Sequence, residues 1–172
     1  MAETIGRVAA GWSEEARQAA LRAVWFHDAW RNAGSAEMLS EIRAAGEEPD
    51  PWGLRHAPVL LHAQAAAAWA ESTAGEADPE VLLAVRHHPT GHPAWGDLGR
   101  ALFVADFCEP TRPFATTLCT DRLVACAAAG SASLASAAIE VLRLRLERSI
   151  RVGQPVHPDS VRTWNAWLGA GA

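Results

Sequence analysis

The sequence contains no lysine and no tyrosine, and all 15 of its basic side chains are arginine. With its very abundant alanine, that pattern is one of GC-rich codon usage, so arginine in place of lysine carries no message about partners. Cysteine is scarce: Cys108, Cys119 and Cys126 have no C-x-x-C spacing, which argues against a zinc ribbon and a disulfide framework. Positive charge is also in deficit, 15 basic against 20 acidic residues for a formal charge of −5, where a generic nucleic-acid binder normally shows a basic face. No apolar run reaches the roughly 18–20 residues of a membrane-spanning helix. The opening Met1-Ala2-Glu3-Thr4 lacks the basic-then-apolar pattern of a signal peptide. What is present is a chain of 172 residues, 49% hydrophobic and 20% charged, enough for one domain with a sizeable core. A cytoplasmic domain with no nucleic-acid and no membrane partner is expected.

The periodicity is helical nearly throughout. Ser13 ahead of Glu14 and Glu15 has the pattern of an N-cap with acidic residues facing the helix dipole, opening a helix with Ala16, Ala20, Val24 and His27 along one side. Ser35 is expected to cap a second helix with Met38, Leu39 and Ile42 inward, stopped at Gly46. Glu47 to Pro58, with three prolines and a glycine, reads as a surface loop. A Leu- and Ala-rich helix is expected from about Val59 to Glu71. Asp78-Pro79-Glu80 starts another, which carries Val81, Leu82 and Val85 and breaks at His87-His88-Pro89-Thr90-Gly91. An apolar segment from Leu98 to Phe107 ends in Ala105-Asp106, before Pro110 and Pro113. Further helices are expected from about Phe114 to Ala128, Ser131 to Val152, and Pro158 to near Leu168. Nothing alternates as a strand and no linker divides the chain, so the expectation is a single all-α domain over 1–172.

Four features bear on chemistry: His27-Asp28 at a helix end, His62 near a helix start, His87-His88 at another end, and Asp106 after an apolar run. Taken singly, each is an ordinary core histidine, a helix cap or a dipole-favoured C-terminus. Together, imidazole and carboxylate without thiolate suit a borderline transition metal, and ligands from separate helices converge inside bundles. A pair of ions bridged through an adjacent His-Asp pair would activate water and neutralise phosphate charge. From residue types and spacing, a metal phosphohydrolase and a set of unrelated structural residues both remain open. The other histidines, His56, His92 and His157, lie beside prolines and read as structural or exposed. Trp164 and Asn165 read as holding the last helix to the core. Arg143, Arg145, Arg148 and Arg151, with Glu140 and Glu147, read as a solvated helix face. Cys108 reads as a small buried residue.

The ordered set Phe26-His27-Asp28-Ala29-Trp30-Arg31, Leu60-Leu61-His62, Val85-Arg86-His87-His88-Pro89-Thr90-Gly91, Val104-Ala105-Asp106-Phe107-Cys108-Glu109-Pro110-Thr111-Arg112 and Val156-His157-Pro158 with Trp164-Asn165 resembles the YqeK-type HD-domain proteins, symmetrical bis(5'-nucleosyl)-tetraphosphatases. The resemblance spans almost the whole chain, and the VADFCEPTR block with the late VHP and WN is its most specific part. It implies an HD-domain helical bundle holding one or two divalent ions, typically iron, with manganese, cobalt and zinc as alternatives. The implied reaction is water attack on diadenosine tetraphosphate to give two ADP. By the same correspondence His27, Asp28 and Asp106 match first-site ligands, Asp28 the bridge, and His62 and His88 the second site. His87 matches a further ligand or a neighbour of the ligands. Asp28 and Arg31 are the expected catalytic pair. Arg31, Arg112, Thr90 and Gly91 are expected to meet substrate, the arginines by forked contact with phosphate and the turn through backbone N–H groups; pairing of Arg112 with Glu109 is the alternative for that residue.

The chain departs from the family pattern at its beginning. The family opens with a His and a helix of the kind H-x-x-x-V-A-x-x-A-x-x-L-A, whereas here Ala2 to Ala9 matches only the latter part. In that register the His falls a few residues upstream of Met1, so the expectation is an N-terminal helix cut short by a late start. The first site would then hold only His27, Asp28 and Asp106, and apolar surface near Trp12 would be uncovered. The same departure fits an HD protein that binds nucleotide with weak or no catalysis; a phosphohydrolase of another nucleotide is the rival within enzymes. The tryptophans and alanines leave room for a homodimer face.

Overall fold

The computed structural model describes residues 1–111 and 120–169. These form ten α-helices and no strand: α1 (Ala2–Val8), α2 (Glu14–Phe26), α3 (Ser35–Ala44), α4 (Pro51–His56), α5 (Leu61–Ser72), α6 (Pro79–His87), α7 (Asp97–Phe107), α8 (Thr120–Ala127), α9 (Ser131–Arg151) and α10 (Pro158–Gly169). The starts follow local chemistry. Ser13 accepts the Ala16 N–H at 3.3 Å to open α2. Asp78 accepts the Glu80 N–H at 3.0 Å to open α6, with Pro79 in the first turn, where its missing donor costs nothing.

Two boundaries differ from expectation. Gly34, not Ser35, is the N-cap of α3, because the Glu37 carboxylate reaches back to accept the Gly34 N–H at 2.7 Å. The stretch read as a surface loop contains α4: Asp50 accepts the Gly53 N–H at 2.5 Å and Pro51 takes the first helical position, the same device as at Asp78-Pro79. Part of the helix expected from Phe114 lies outside the described residues, as do Arg112 and Cys119.

Helix α7 is the axis of the molecule and contacts α1, α2, α6, α8 and α9. Its Ala101, Phe103, Val104, Ala105 and Phe107 join Ile5, Val8, Ala137, Val141 and Leu142 in the largest core cluster. Trp12 packs half-buried against it. Helix α5 is buried nearly all round, with Ala63, Ala65, Ala66, Ala67, Ala68 and Ala70 inaccessible or nearly so. Methyl-sized side chains let α3 and α6 approach it closely, which sets His62 at its start deep in the bundle. The segment joining α3 to α4 is tied to this face: Arg86 forks onto the Glu47 carboxylate, and Gln64 donates to the Glu48 carbonyl and accepts the Asp50 N–H. No described helix is long and apolar enough to cross a membrane.

Candidate metal centre

His27 closes α2 and Asp28 follows it, His62 lies in the first turn of α5, His88 closes α6, and Asp106 is in the last turn of α7. Three helix C-termini therefore meet at one point, where the aligned peptide dipoles favour a cation. His27, His62, His88 and Asp106 are buried, and Asp28 sits at the mouth with its side chain about one-third exposed.

The three rings share one arrangement. Nδ1 of His27, His62 and His88 lies 2.8, 2.5 and 2.8 Å from the carbonyls of Val24, Val59 and Val85, each three residues earlier. A carbonyl only accepts, so each Nδ1 carries the proton and each Nε2 is turned to the centre. Such outer hydrogen bonds are how proteins orient metal-binding imidazoles. The five side chains divide into two triads, Asp28–His62–His88 and His27–Asp28–Asp106, whose ligating atoms lie within 4.8 Å of one another. Asp28 Oδ1 is 3.2 Å from His62 Nε2 and 3.7 Å from His88 Nε2, while Oδ2 is 3.5 Å from His27 Nε2. His27 Nε2 is 3.8 Å from Asp106 Oδ1. Two ligands about 2.1 Å from one ion lie about 3.0–3.4 Å apart at ordinary bond angles, close to these spacings.

The donor set fits a divalent metal. Nε2 of His62 and of His88 are 3.2 Å apart, and with both Nδ1 atoms protonated two neutral rings would bring lone pair against lone pair. A cation between them turns that repulsion into ligation. Burial pushes the Asp28 carboxyl upward, but the facing rings of His27, His62 and His88, which donate to it when Nε2 is protonated as well, outweigh this and hold it well below the usual carboxylate range. Burial lowers the His27 imidazole, and the Asp28 hydrogen bond and the charges of Asp28 and Asp106 reverse that, leaving it raised. At His88 burial wins and the ring stays below its ordinary value.

The remaining expected residues are placed differently. His87 lies outside both triads: its ring faces His92 at 4.6 Å between centroids, and burial, with the His92 charge next, pushes it down to about 4. Arg31 is exposed, one turn beyond Asp28, its N–H bonded to the Asp28 carbonyl at 3.0 Å. The Thr90 and Gly91 amides, expected to meet phosphate, both donate to the His87 carbonyl at 2.9 Å, and both residues are buried. The Thr90 hydroxyl also turns to backbone carbonyls.

Two adjoining clefts of about 190 and 330 Å³ share Leu60, Pro89, Thr90 and His157 as a common wall. The smaller runs past Asp50, Arg86 and His87, the larger past Arg145, Ser149 and Val156. His157 is buried, as a structural histidine would be, with Nε2 donating to Asp50 Oδ2 at 3.0 Å and Nδ1 accepting the Asp159 N–H at 3.1 Å. His56 is exposed. Trp164 packs against the core but Asn165 is exposed, contrary to the role expected for it. Cys108 is buried as expected, its thiol pushed up to about 12 by burial.

One residue of the centre escaped the sequence argument. Arg145, expected on a solvated face, donates from Nη2 to Asp106 Oδ2 at 2.8 Å and stacks 4.5 Å from the Phe103 ring centre. Arg143 is partly exposed and paired with Glu140 and Glu147, and the exposed arginines of the helix are Arg148 and Arg151. The available signal was periodicity: Arg145 follows Ala138, Val141 and Leu142, all buried, at helical spacing.

Helical packing around a His/Asp centre defines a protein of the HD superfamily fold. A solved structure from Clostridium acetobutylicum, a predicted HD superfamily hydrolase involved in NAD metabolism, superposes with a TM-score of 0.84 at 24% identity, covering 98% of this chain and 85% of that one. Symmetrical bis(5'-nucleosyl)-tetraphosphatase of Bacillus subtilis (strain 168) is 30% identical over 158 residues, 92% of this chain and 80% of its own length. The protein of the same name from Halalkalibacterium halodurans is 30% identical over 96% of this chain and 84% of its own length. No family model matches the chain. The chain belongs to the symmetrical bis(5'-nucleosyl)-tetraphosphatase family.

Proposed function

We propose that this protein is a metal-dependent phosphohydrolase that cleaves dinucleoside polyphosphates symmetrically, converting diadenosine tetraphosphate and water into two ADP. Membership of a family whose relatives carry that name supports the substrate. The observation that carries the chemistry is the convergence of three Nδ1-anchored imidazoles and two carboxylates at one point. His27, Asp28 and Asp106 would hold one divalent ion, and Asp28, His62 and His88 a second, with Asp28 shared. Ferrous iron is the metal to test first, then manganese, cobalt and zinc, since these ligands suit them all. When bound, such ions lower the pKa of water and offset phosphate charge.

The chain's own residues supply the rest. Outer hydrogen bonds from Nδ1 to the Val24, Val59 and Val85 carbonyls fix the rings before substrate arrives, so little reorganisation is needed. Asp28, at the mouth, is placed to orient water against the scissile phosphorus. Arg31, exposed one turn further on, has the forked donor geometry for an incoming polyphosphate. The larger of the two clefts, about 330 Å³, falls in the range of about 300–1,000 Å³ that small-molecule ligands occupy and would seat a nucleoside.

The test is incubation of the purified chain with diadenosine tetraphosphate and ferrous or manganous ion, with products resolved by chromatography. ADP alone is expected. AMP with ATP would overturn the symmetrical reaction, and no turnover with any of the four metals would overturn diadenosine tetraphosphate as the substrate.

A further inference from the structure

The Arg145 guanidinium meets four residues. Nη2 donates to Asp106 Oδ2 at 2.8 Å, Nη1 approaches the Pro89 carbonyl at 3.4 Å, and the plane lies over Phe103 at 4.5 Å with Phe107 at 5.7 Å. Phe103 is inaccessible to solvent, so the platform under the guanidinium is packed into the core. Asp106 belongs to one candidate triad, and Pro89 directly follows His88 of the other. Among the described residues, Oδ2 of Asp106 faces Arg145 and Oδ1 faces His27.

We infer that Arg145 is a positioning residue for the centre: by holding Oδ2 of Asp106 it leaves Oδ1 as the single oxygen this carboxylate turns to a metal ion. The inference rests on the metal-hydrolase reading above. A planar fork on an aromatic platform sets both distance and angle, which the point charge of a lysine does not. Asp28 is the contrasting case, one oxygen toward each triad. If Arg145 merely stabilised a buried carboxylate, its loss would lower stability without changing how metal is bound.

Isothermal titration with Mn²⁺ separates the two roles, applied to the wild-type chain, Arg145→Met, Arg145→Lys and the control Arg143→Met. Arg143 lies on the same helix, and among the described residues its side chain pairs with Glu140 and Glu147. Arg145→Met is expected to weaken the ion beside Asp106 at least tenfold and to spare the ion beside His62 and His88. Arg145→Lys is expected to recover part of the loss, and the Co²⁺ absorption spectrum of Arg145→Met is expected to differ from wild type. Unchanged affinity and spectrum in Arg145→Met would overturn the inference. A crystal structure of the Mn²⁺-loaded wild type tests it without any variant: one Asp106 oxygen on the ion and the other on Arg145 supports it, and two-oxygen binding or a displaced Arg145 overturns it. Wild-type protein that binds no divalent ion removes the metal reading and this inference together. Metal binding without diadenosine tetraphosphate hydrolysis removes the substrate reading alone.

Discussion

Asp28→Asn is the sharpest perturbation of the centre, because Asp28 is the residue the two described triads share. The amide keeps the shape but takes an anionic ligand from both at once. An ion held at a hundredfold over its dissociation constant stabilises the folded chain by about 2.7 kcal/mol per site. At about 2–4 °C per kcal/mol for a domain of this size, each occupied site should raise the melting midpoint by about 5–11 °C. In Asp28→Asn the metal-induced rise should shrink to within about 2 °C. The metal-free variant should lose less than about 1 kcal/mol, since the carboxylate is one-third exposed and its pairs with the three rings are screened by solvent. His62→Leu is the comparator, since it removes Nε2 from one triad and leaves His27, Asp28 and Asp106 in place; it should keep one site's share of the rise. Differential scanning calorimetry in excess Mn²⁺ and in EDTA reads all of these midpoints. An Asp28→Asn protein with the full wild-type rise would refute the shared-ligand argument, and so would identical losses in Asp28→Asn and His62→Leu where wild type binds two ions.

Other positions test the scaffold. Burial pushes Glu47 upward, but the Arg86 fork and Gln64 outweigh it and lower its folded pKa; its stabilisation is therefore present above the unfolded value of about 4.3 and lost as acid protonates the folded carboxylate. Glu47→Gln should cost about 1 kcal/mol by urea denaturation at pH 7 and progressively less as the pH falls below about 4, and a cost independent of pH would count against the pair. Gly91 has φ of +76°, and a Cβ there would lie 3.0 Å from Thr163 Cγ2. Gly91→Ala should cost about 1–2 kcal/mol from the left-handed backbone alone and more from the contact, and adding Thr163→Ser should restore only the steric part of the melting temperature. Cys126 is exposed and Cys108 buried with a thiol near 12, so brief alkylation of native protein followed by peptide mass spectrometry should label Cys126 well before Cys108; the reverse order would show that α7 opens locally.

What was legible in the sequence was whatever local chemistry determines. Ser13 and Asp78 are caps because a side-chain oxygen two or three residues ahead of a bare N–H needs no tertiary context. Asp50-Pro51 carries the same signal and was masked by the prolines and glycine around it, although its capping bond is the shorter one. The candidate ligand residues were legible as types and order, because His and Asp at the ends of apolar helices are costly to bury without a partner. Their division between two triads came from family resemblance, since spacing alone leaves the pairing of five side chains on four helices open. Turn chemistry hid the state of the Thr90 and Gly91 amides: a Pro-Thr-Gly turn looks like a phosphate cradle until its N–H groups are seen on the His87 carbonyl.

Arg145 shows where reading by composition fails. Arg143, Arg145, Arg148 and Arg151 look alike as a charged run, and Glu140 and Glu147 invite a solvated-face interpretation of all of them. Helical phase separates them. Positions 138, 141, 142 and 145 lie on one stripe, and the first three are buried, so an arginine at the fourth is driven inward where its charge requires a carboxylate. Asp106 has the complementary need, being buried in the last turn of α7, the helix that packs against α9. Each charge is tolerable in the core because of the other. The pair therefore orients a candidate metal ligand as a consequence of satisfying its own burial, and the same contact serves both the fold and the site.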